Sequence, residues 1–230
     1  DDLSTNANVF VGYNTGTANT TGASNTAVGR ESLTSNTTGN GNTANGVWSL
    51  RYNTTGSQNV ASGMFALQKN TTGNSNVAYG NSALNENIDG DYNTAIGVIS
   101  LYSNTSGTHN TATGYFSLYD NTASNNTANG ANAMNKNTTG YSNTSIGSSS
   151  LFFNTTGNNN TASGFRSLWS NTVGNDNTVY GATALYGNST GSNNTVSGYR
   201  SMYNSTGGSN NTVYGYRTLF YSSGDNNIAL

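Results

Sequence analysis

The hydrophobic positions of this chain are sparse, and they return at a fixed spacing. A glycine stands at Gly12, Gly29, Gly46, Gly63, Gly80, Gly97 and Gly114, always 17 residues apart. One 16-residue step leads to Gly130, and the 17-residue step resumes through Gly147, Gly164, Gly181, Gly198 and Gly215. Around these thirteen anchors the unit reads roughly N-T-A-x-G-x-x-S-L-x-x-N-T-T-G-x-x. Two residues before the anchor the residue is small, usually Ala. Four after it Leu or Met occurs in twelve of thirteen copies, from Leu33 to Leu219. Asn lies four before the anchor in all thirteen copies and seven after it in eleven.

Each position has a physical reading. N-T-A-x-G alternates, so it predicts a short strand with Asn and Ala on one face and Thr and the variable residue on the other. Ala permits close backbone approach, and Leu supplies the apolar filling. Identical Asn side chains, stacked coil on coil, can form hydrogen-bonded ladders. N-T-T-G is turn chemistry, its Gly suited to positive φ. The one-residue deletion falls there, in Asn121-Thr122-Ala123-Ser124-Asn125, where a loop tolerates it. The x-x-S-L-x-x stretch fits either a second short strand or one helical turn. The expected fold is all-β: a parallel β-solenoid of thirteen roughly 17-residue coils, one repeat domain spanning 1–230. At about 4.8 Å per coil such a stack is a rod roughly 60 Å long.

Composition changes this picture little. Only 32% of the 230 residues are hydrophobic and 7% charged, with 43 Asn and a net charge of −2. Disordered chains share the low hydrophobicity but are highly charged and poor in aromatics, whereas this one has 15 Tyr, 7 Phe and 2 Trp. One Leu per coil, worth about 1.5–3 kcal/mol when buried, is a small return against an ordering cost of about 1–2 kcal/mol per residue. Stacking on neighbouring coils, and on other chains, is expected to supply the rest. Absence of Cys excludes disulfides and thiolate metal sites, and absence of Pro suits uninterrupted strand pairing. No run of about 18 apolar residues suggests a transmembrane helix, and scattered basic residues give no nucleic-acid footprint.

The N-T-A-x-G core, as in Asn25-Thr26-Ala27-Val28-Gly29 and Asn93-Thr94-Ala95-Ile96-Gly97, resembles the head repeats of trimeric autotransporter adhesins and repeats of phage tail-fibre and related surface-fibre proteins. The resemblance covers nearly the whole chain. It implies a left-handed parallel β-roll, three chains packed side by side, and a place at a cell or virion surface. One departure is that the adhesin-head repeat is nearer fourteen residues, the extra residues here falling in N-T-T-G.

Candidate chemistry is thin. No position carries a recurring acid, His or Cys, and the lone His109 reads as a solvated turn residue. Ser and Thr lack a base to activate them, so no catalytic residue and no cofactor is expected. Glu86, Asp89 and Asp91 are weak candidates for a calcium site, though Asp89-Gly90 is also an ordinary turn. Sequons at Asn19, Asn36, Asn53, Asn70, Asn104, Asn137, Asn154 and Asn188 fall in one position of the repeat, with others at Asn143, Asn159 and Asn204. They are possible N-glycosylation sites, or simply good turn sequences. Five residues after the anchor, aromatics gather as Tyr102, Tyr119, Phe152, Trp169, Tyr186, Tyr203 and Phe220, whereas the first five copies have none. This strip suits a protein interface, a glycan-stacking platform or inter-coil packing, with Arg166, Arg200 and Arg217 placed to stack beside it. Thr stacks also suggest ice binding, but the residue two beyond the first Thr position varies and breaks a two-file plane.

At the ends, Phe10 replaces the small residue and Gly16 the Leu, while Asn227-Ile228-Ala229-Leu230 opens a fourteenth repeat. With Asp1 rather than Met at the start, this suggests a segment of a longer fibre. The expected role is a non-enzymatic extracellular fibre or adhesin segment that self-associates as a trimer or end-to-end filament. Glycans or a host surface are possible ligands; neither nucleic acid binding nor membrane insertion is expected.

Overall fold

The computed structural model describes residues 7–230. The chain is an all-β parallel β-solenoid with a repeat of about 17 residues. Fourteen strands of two or three residues, from Val9–Val11 to Ile228–Ala229, lie in chain order in a parallel sheet. No helix occurs among the described residues. Two compact units divide the chain, Asp1–Ala112 and Thr113–Leu230.

In the first unit the strands pair in strict register, Thr26 opposite Thr43, Ala27 opposite Ala44 and Val28 opposite Asn45, and likewise up to Tyr79 opposite Ile96. In the second the same register runs from Thr127 opposite Thr144 to Val213 opposite Ala229. The central strand residue faces inward. Ala27, Ala61, Ala78 and Ala95 are wholly buried in the first unit, and Ala128, Ala162, Val179, Val196 and Val213 in the second. Opposite them lies the Leu column, buried from Leu33 to Leu101 and again from Leu118 to Met202.

Two Asn ladders flank this thin apolar line. Asn59, four before its anchor, shows the first. Its Nδ2 donates to Gly73 O at 2.8 Å and Asn42 Oδ1 at 3.2 Å, and its Oδ1 accepts the Asn76 N–H at 3.0 Å. The second ladder, seven after the anchor, bonds each Nδ2 to the preceding Asn Oδ1, as from Asn53 to Asn36 at 2.8 Å and Asn171 to Asn154 at 2.8 Å. The same Nδ2 also donates to the glycine carbonyl three residues on. Among the described residues the ladder amides are thus bonded with one exception, the buried Asn104 Oδ1, which is how so polar an interior avoids most of the cost of unpaired groups.

The x-x-S-L-x-x stretch forms neither element that the sequence suggests. It is a chain of turns in which the second and fourth residues after the anchor take left-handed backbone, as in Trp48 (φ 61°) and Leu50 (φ 48°). Such angles oppose the intrinsic preference of L-residues by roughly 1–2 kcal/mol each. The return is backbone pairing with adjacent coils: Trp48 N–H donates to Arg30 O at 3.0 Å, and Leu50 N–H to Ala66 O at 3.1 Å.

Glycine roles also differ from expectation. The N-T-T-G glycine is not in the positive-φ region. It is small for lack of space, since a Cβ on Gly56 would meet Asn53 Oδ1 and Gly73 O at 2.4 Å. The anchor glycine needs both freedoms. Gly63 sits at φ 137°, and a Cβ there would lie 2.5 Å from Gly80 O. In the first coil the irregular residues compensate each other: the Phe10 ring fills the space that a side chain on Gly16 would take, 2.6 Å from its Cβ position.

Candidate functional site

What the scaffold leaves free are the outward positions. Those beside the anchor are the outer strand face, three and one before it, and the residue just after it. In the first unit this surface exposes Val28, Val47, Met64, Tyr79, Ile96 and Val98; in the second, Ile146, Phe165, Tyr180, Tyr199 and Tyr214. No charged residue occupies the two outer strand positions in any copy. Thr dominates the first of these positions but the second varies, so no flat two-file Thr plane forms.

The aromatic strip lies on the turns. In the second unit Phe152, Trp169, Tyr186, Tyr203 and Phe220 stack on one another with centroid steps of 6.0, 5.0, 4.9 and 5.2 Å and interplanar angles of 22°, 2°, 9° and 15°. Each such pair is worth about 0.5–1.5 kcal/mol beyond the area it buries. Tyr119 lies earlier in this unit beside Phe116, with Lys136 5.7 Å from its ring, and Asn135 interrupts the column between Tyr119 and Phe152. Tyr102, in the first unit, is half-buried. Because the stacked rings cover each other's faces, they meet solvent with their edges. A sugar ring has no open aromatic face to lie on along this run.

In the first unit the corresponding turns carry a different cluster. Trp48 packs edge-on against Phe65 at 5.1 Å, Arg51 lies over Trp48 at 4.9 Å, and Glu31 is bonded by Arg51 at 2.6 Å and Arg30 at 3.2 Å. Nearby, an open groove of about 480 Å³ is lined by Ser35, Tyr52, Thr54, Lys69, Thr71 and Ile88. Lys69 donates to Glu86 at 2.7 Å, and this hydrogen bond holds its ammonium above the usual lysine range.

The acidic candidates do not converge. Glu86 is engaged by Lys69, Asp91 accepts the Asn74 N–H at 2.6 Å, and Asp89 is exposed on its turn. Among the described residues no group of three or more His, Asp or Glu is placed to hold a metal ion. His109 is exposed and stacks on Tyr92 at 4.9 Å.

The sequon position is interior. Asn36, Asn53, Asn70, Asn104, Asn137, Asn154 and Asn188 are wholly buried, Asn19 is half-buried, and their Nδ2 atoms serve the second ladder. Asn143 is buried too, whereas Asn159 and Asn204 are exposed. A glycan on Nδ2 of a ladder Asn would remove a donor hydrogen and demand space that the coil does not have. Intact-mass spectrometry of the native protein, followed by peptide mapping, is therefore expected to find the eight ladder sequons unmodified. A glycan on Asn53 or Asn154 in folded material would refute this.

No protein-family model, curated protein or solved structure matches the chain. Its function has to be read from its own surfaces.

Proposed function

We propose that this chain is a non-catalytic structural repeat segment of an extracellular fibre or adhesin, and that copies of it self-associate through the outer face of the sheet. The observation that carries this reading is the charge-free strand face, which exposes Tyr79 (49%) and Ile96 (43%) in the first unit and Ile146 (48%), Tyr180 (50%) and Tyr214 (44%) in the second. In the second unit they alternate with Ser163 and Ser197, and a face of recurring exposed apolar side chains without charge suits association. A parallel sheet is also generally covered on both faces. The thin interior points the same way, since one Leu per coil leaves apolar burial to be gained between chains. The extracellular setting rests on the likeness of N-T-A-x-G to adhesin and fibre repeats.

Sedimentation or light scattering of the native chain tests this directly. A mass of two or more chains is expected, and a stable monomer at high micromolar concentration would sink the proposal. The double variant Tyr180→Lys/Tyr214→Lys should shift the particle toward monomer with an unchanged circular dichroism spectrum. Trp169→Ala/Tyr186→Ala should instead leave the assembled mass intact while lowering stability by about 3–5 kcal/mol, because those rings pack within the chain.

A further inference from the structure

Of the seven cationic side chains, four are matched by carboxylates: Arg30 and Arg51 on Glu31, Lys69 on Glu86, and Lys136 on Asp120 at 2.9 Å. Arg166, Arg200 and Arg217 have no carboxylate within salt-bridge distance among the described residues. These three share more than that. Each stands two residues after its anchor, on left-handed backbone (φ 51°, 56° and 55°). Each lies in the same local sequence: Phe165-Arg166-Ser167-Leu168-Trp169, Tyr199-Arg200-Ser201-Met202-Tyr203 and Tyr216-Arg217-Thr218-Leu219-Phe220. An aromatic thus precedes the arginine, and a member of the stacked ladder follows three residues on. Aromatic rings hold the guanidinium groups: Arg166 is 5.0 Å from Phe165, Arg200 is 5.2 Å from Tyr199 and 5.6 Å from Tyr203, and Arg217 is 4.8 Å from Phe220. Arg200 Nε is buried with no hydrogen-bond partner. Arg166 and Arg217 are exposed.

We infer that this arginine and ring-edge stripe of the second unit binds an extended acidic polysaccharide, its carboxylates or sulfates on the guanidinium groups and its chain along the ladder. An unpaired guanidinium fixed on an aromatic ring is pre-ordered for two-pronged recognition of a carboxylate or sulfate. The ladder adds to it, because an aromatic quadrupole is positive at the ring edge and the edges face outward. Trp169 Nε1–H and the Tyr186 and Tyr203 hydroxyls are the donors these half-buried rings carry, and they suit sugar hydroxyls. The ring step of 4.9–5.2 Å is close to the length of one sugar residue in an extended chain, so successive residues meet equivalent coils. Single-stranded nucleic acid is the weaker fit, since bases need open aromatic faces and these are covered by one another. The stripe borders the outward surface beside the sheet, with Phe165 and Tyr199 common to both. Its arginines and ladder rings lie outside the strand face that carries the self-association proposal, so the arginine variants test it apart from Tyr180→Lys/Tyr214→Lys.

The test is binding of the full chain to polygalacturonate at low salt, by calorimetry or interferometry, with neutral dextran, oligothymidylate and phosphatidylserine vesicles in parallel. Polygalacturonate is expected to bind best, with affinity falling as salt rises. The variant Arg166→Gln/Arg200→Gln/Arg217→Gln should bind at least about tenfold more weakly, while Arg30→Gln/Arg51→Gln, which removes only paired arginines, should change binding less than about twofold. Thr183 occupies the same position in the intervening coil at φ 53°, so Thr183→Arg completes the row and should tighten binding. If the triple variant loses its circular dichroism spectrum, Arg217→Gln alone and Thr183→Arg decide the question. Absence of polygalacturonate binding, an unchanged affinity in the arginine variants, or tighter binding of dextran, oligothymidylate or vesicles would overturn the assignment.

Discussion

Replacing Gly63 by Ala is expected to unfold the coils around it, at a cost of about 3–6 kcal/mol for one methyl group. Two penalties coincide at this position. The backbone sits at φ 137°, a region closed to residues with a Cβ, and the added carbon would lie 2.5 Å from Gly80 O and 2.6 Å from its carbonyl carbon. Neither contact can yield, because both belong to the backbone of the next coil, which is held in its own ladder. The neighbouring glycine Gly41 provides the control. It has φ 64°, but its Cβ would meet only Gln58 Cγ at 3.9 Å, so Gly41→Ala bears the conformational cost alone, about 1 kcal/mol. Urea denaturation followed by circular dichroism should show a large fall in midpoint for Gly63→Ala and a small one for Gly41→Ala. Similar midpoints would mean that adjacent coils can part at the anchor to admit a methyl group. The same crowding holds in the second unit, where a Cβ on Gly164 (φ 132°) would meet the Gly181 carbonyl at 2.7 Å.

How the chain folds was legible wherever a position does the same job in every coil. The strand is visible in Asn25-Thr26-Ala27-Val28 because alternation along an extended segment directly encodes which residues face inward. Ala27 and Leu33 are buried as their chemistry demands. The turn after Gly29 was not legible, because Glu31 and Leu33 adopt left-handed backbone (φ 52° and 49°) against their own preferences. That conformation is imposed by hydrogen bonds to the coils on either side, Glu31 N–H to Tyr13 O and Leu33 N–H to Ser49 O, and no local window contains both partners. Asn53 and Asn154 carried two readings for a related reason. Asn-Thr-Thr is a sequon and a turn at once, and only the stacking of coils turns its amide inward. The strip from Phe152 to Phe220 was visible as a column. Its ring orientation was not, since a 17-residue spacing does not say whether rings lie flat on the surface or stack along it. The arginines stood beside the strip in sequence, but that they alone lack acidic partners among the described residues emerges only once the folded chain brings Lys69 to Glu86 and Lys136 to Asp120.

A second large effect is expected from a change that barely alters shape. Asn59→Asp exchanges the buried amide for a carboxyl of nearly the same size. In the wild type Asn59 Nδ2 donates to Gly73 O at 2.8 Å and Asn42 Oδ1 at 3.2 Å. A carboxylate would face both acceptors with no hydrogen to offer, in a site closed to water. Its other oxygen keeps the Asn76 N–H and Nδ2 as donors, so half of the site is sound and half is repulsive. The loss at neutral pH should be about 3–5 kcal/mol, the scale for an uncompensated buried charge. Burial and the two facing acceptors both disfavour ionisation, so the folded-state pKa of the new carboxyl must lie above its unfolded value of about 3.9. The sign of the pH dependence follows. Below the unfolded pKa the group is protonated in both states, and one donor is restored to Gly73 O. As pH rises through the interval between the two pKa values the unfolded chain releases its proton first, and stability falls until the folded pKa is passed. Denaturation midpoints of Asn59→Asp relative to wild type should therefore converge toward about pH 4 and separate toward neutrality, whereas Asn59→Ala, which cannot titrate, should keep a constant deficit. A pH-independent deficit for the Asp variant would show that the ladder site admits water. The dry Asn ladder, rather than the Leu column alone, would then lose its place as what binds coil to coil.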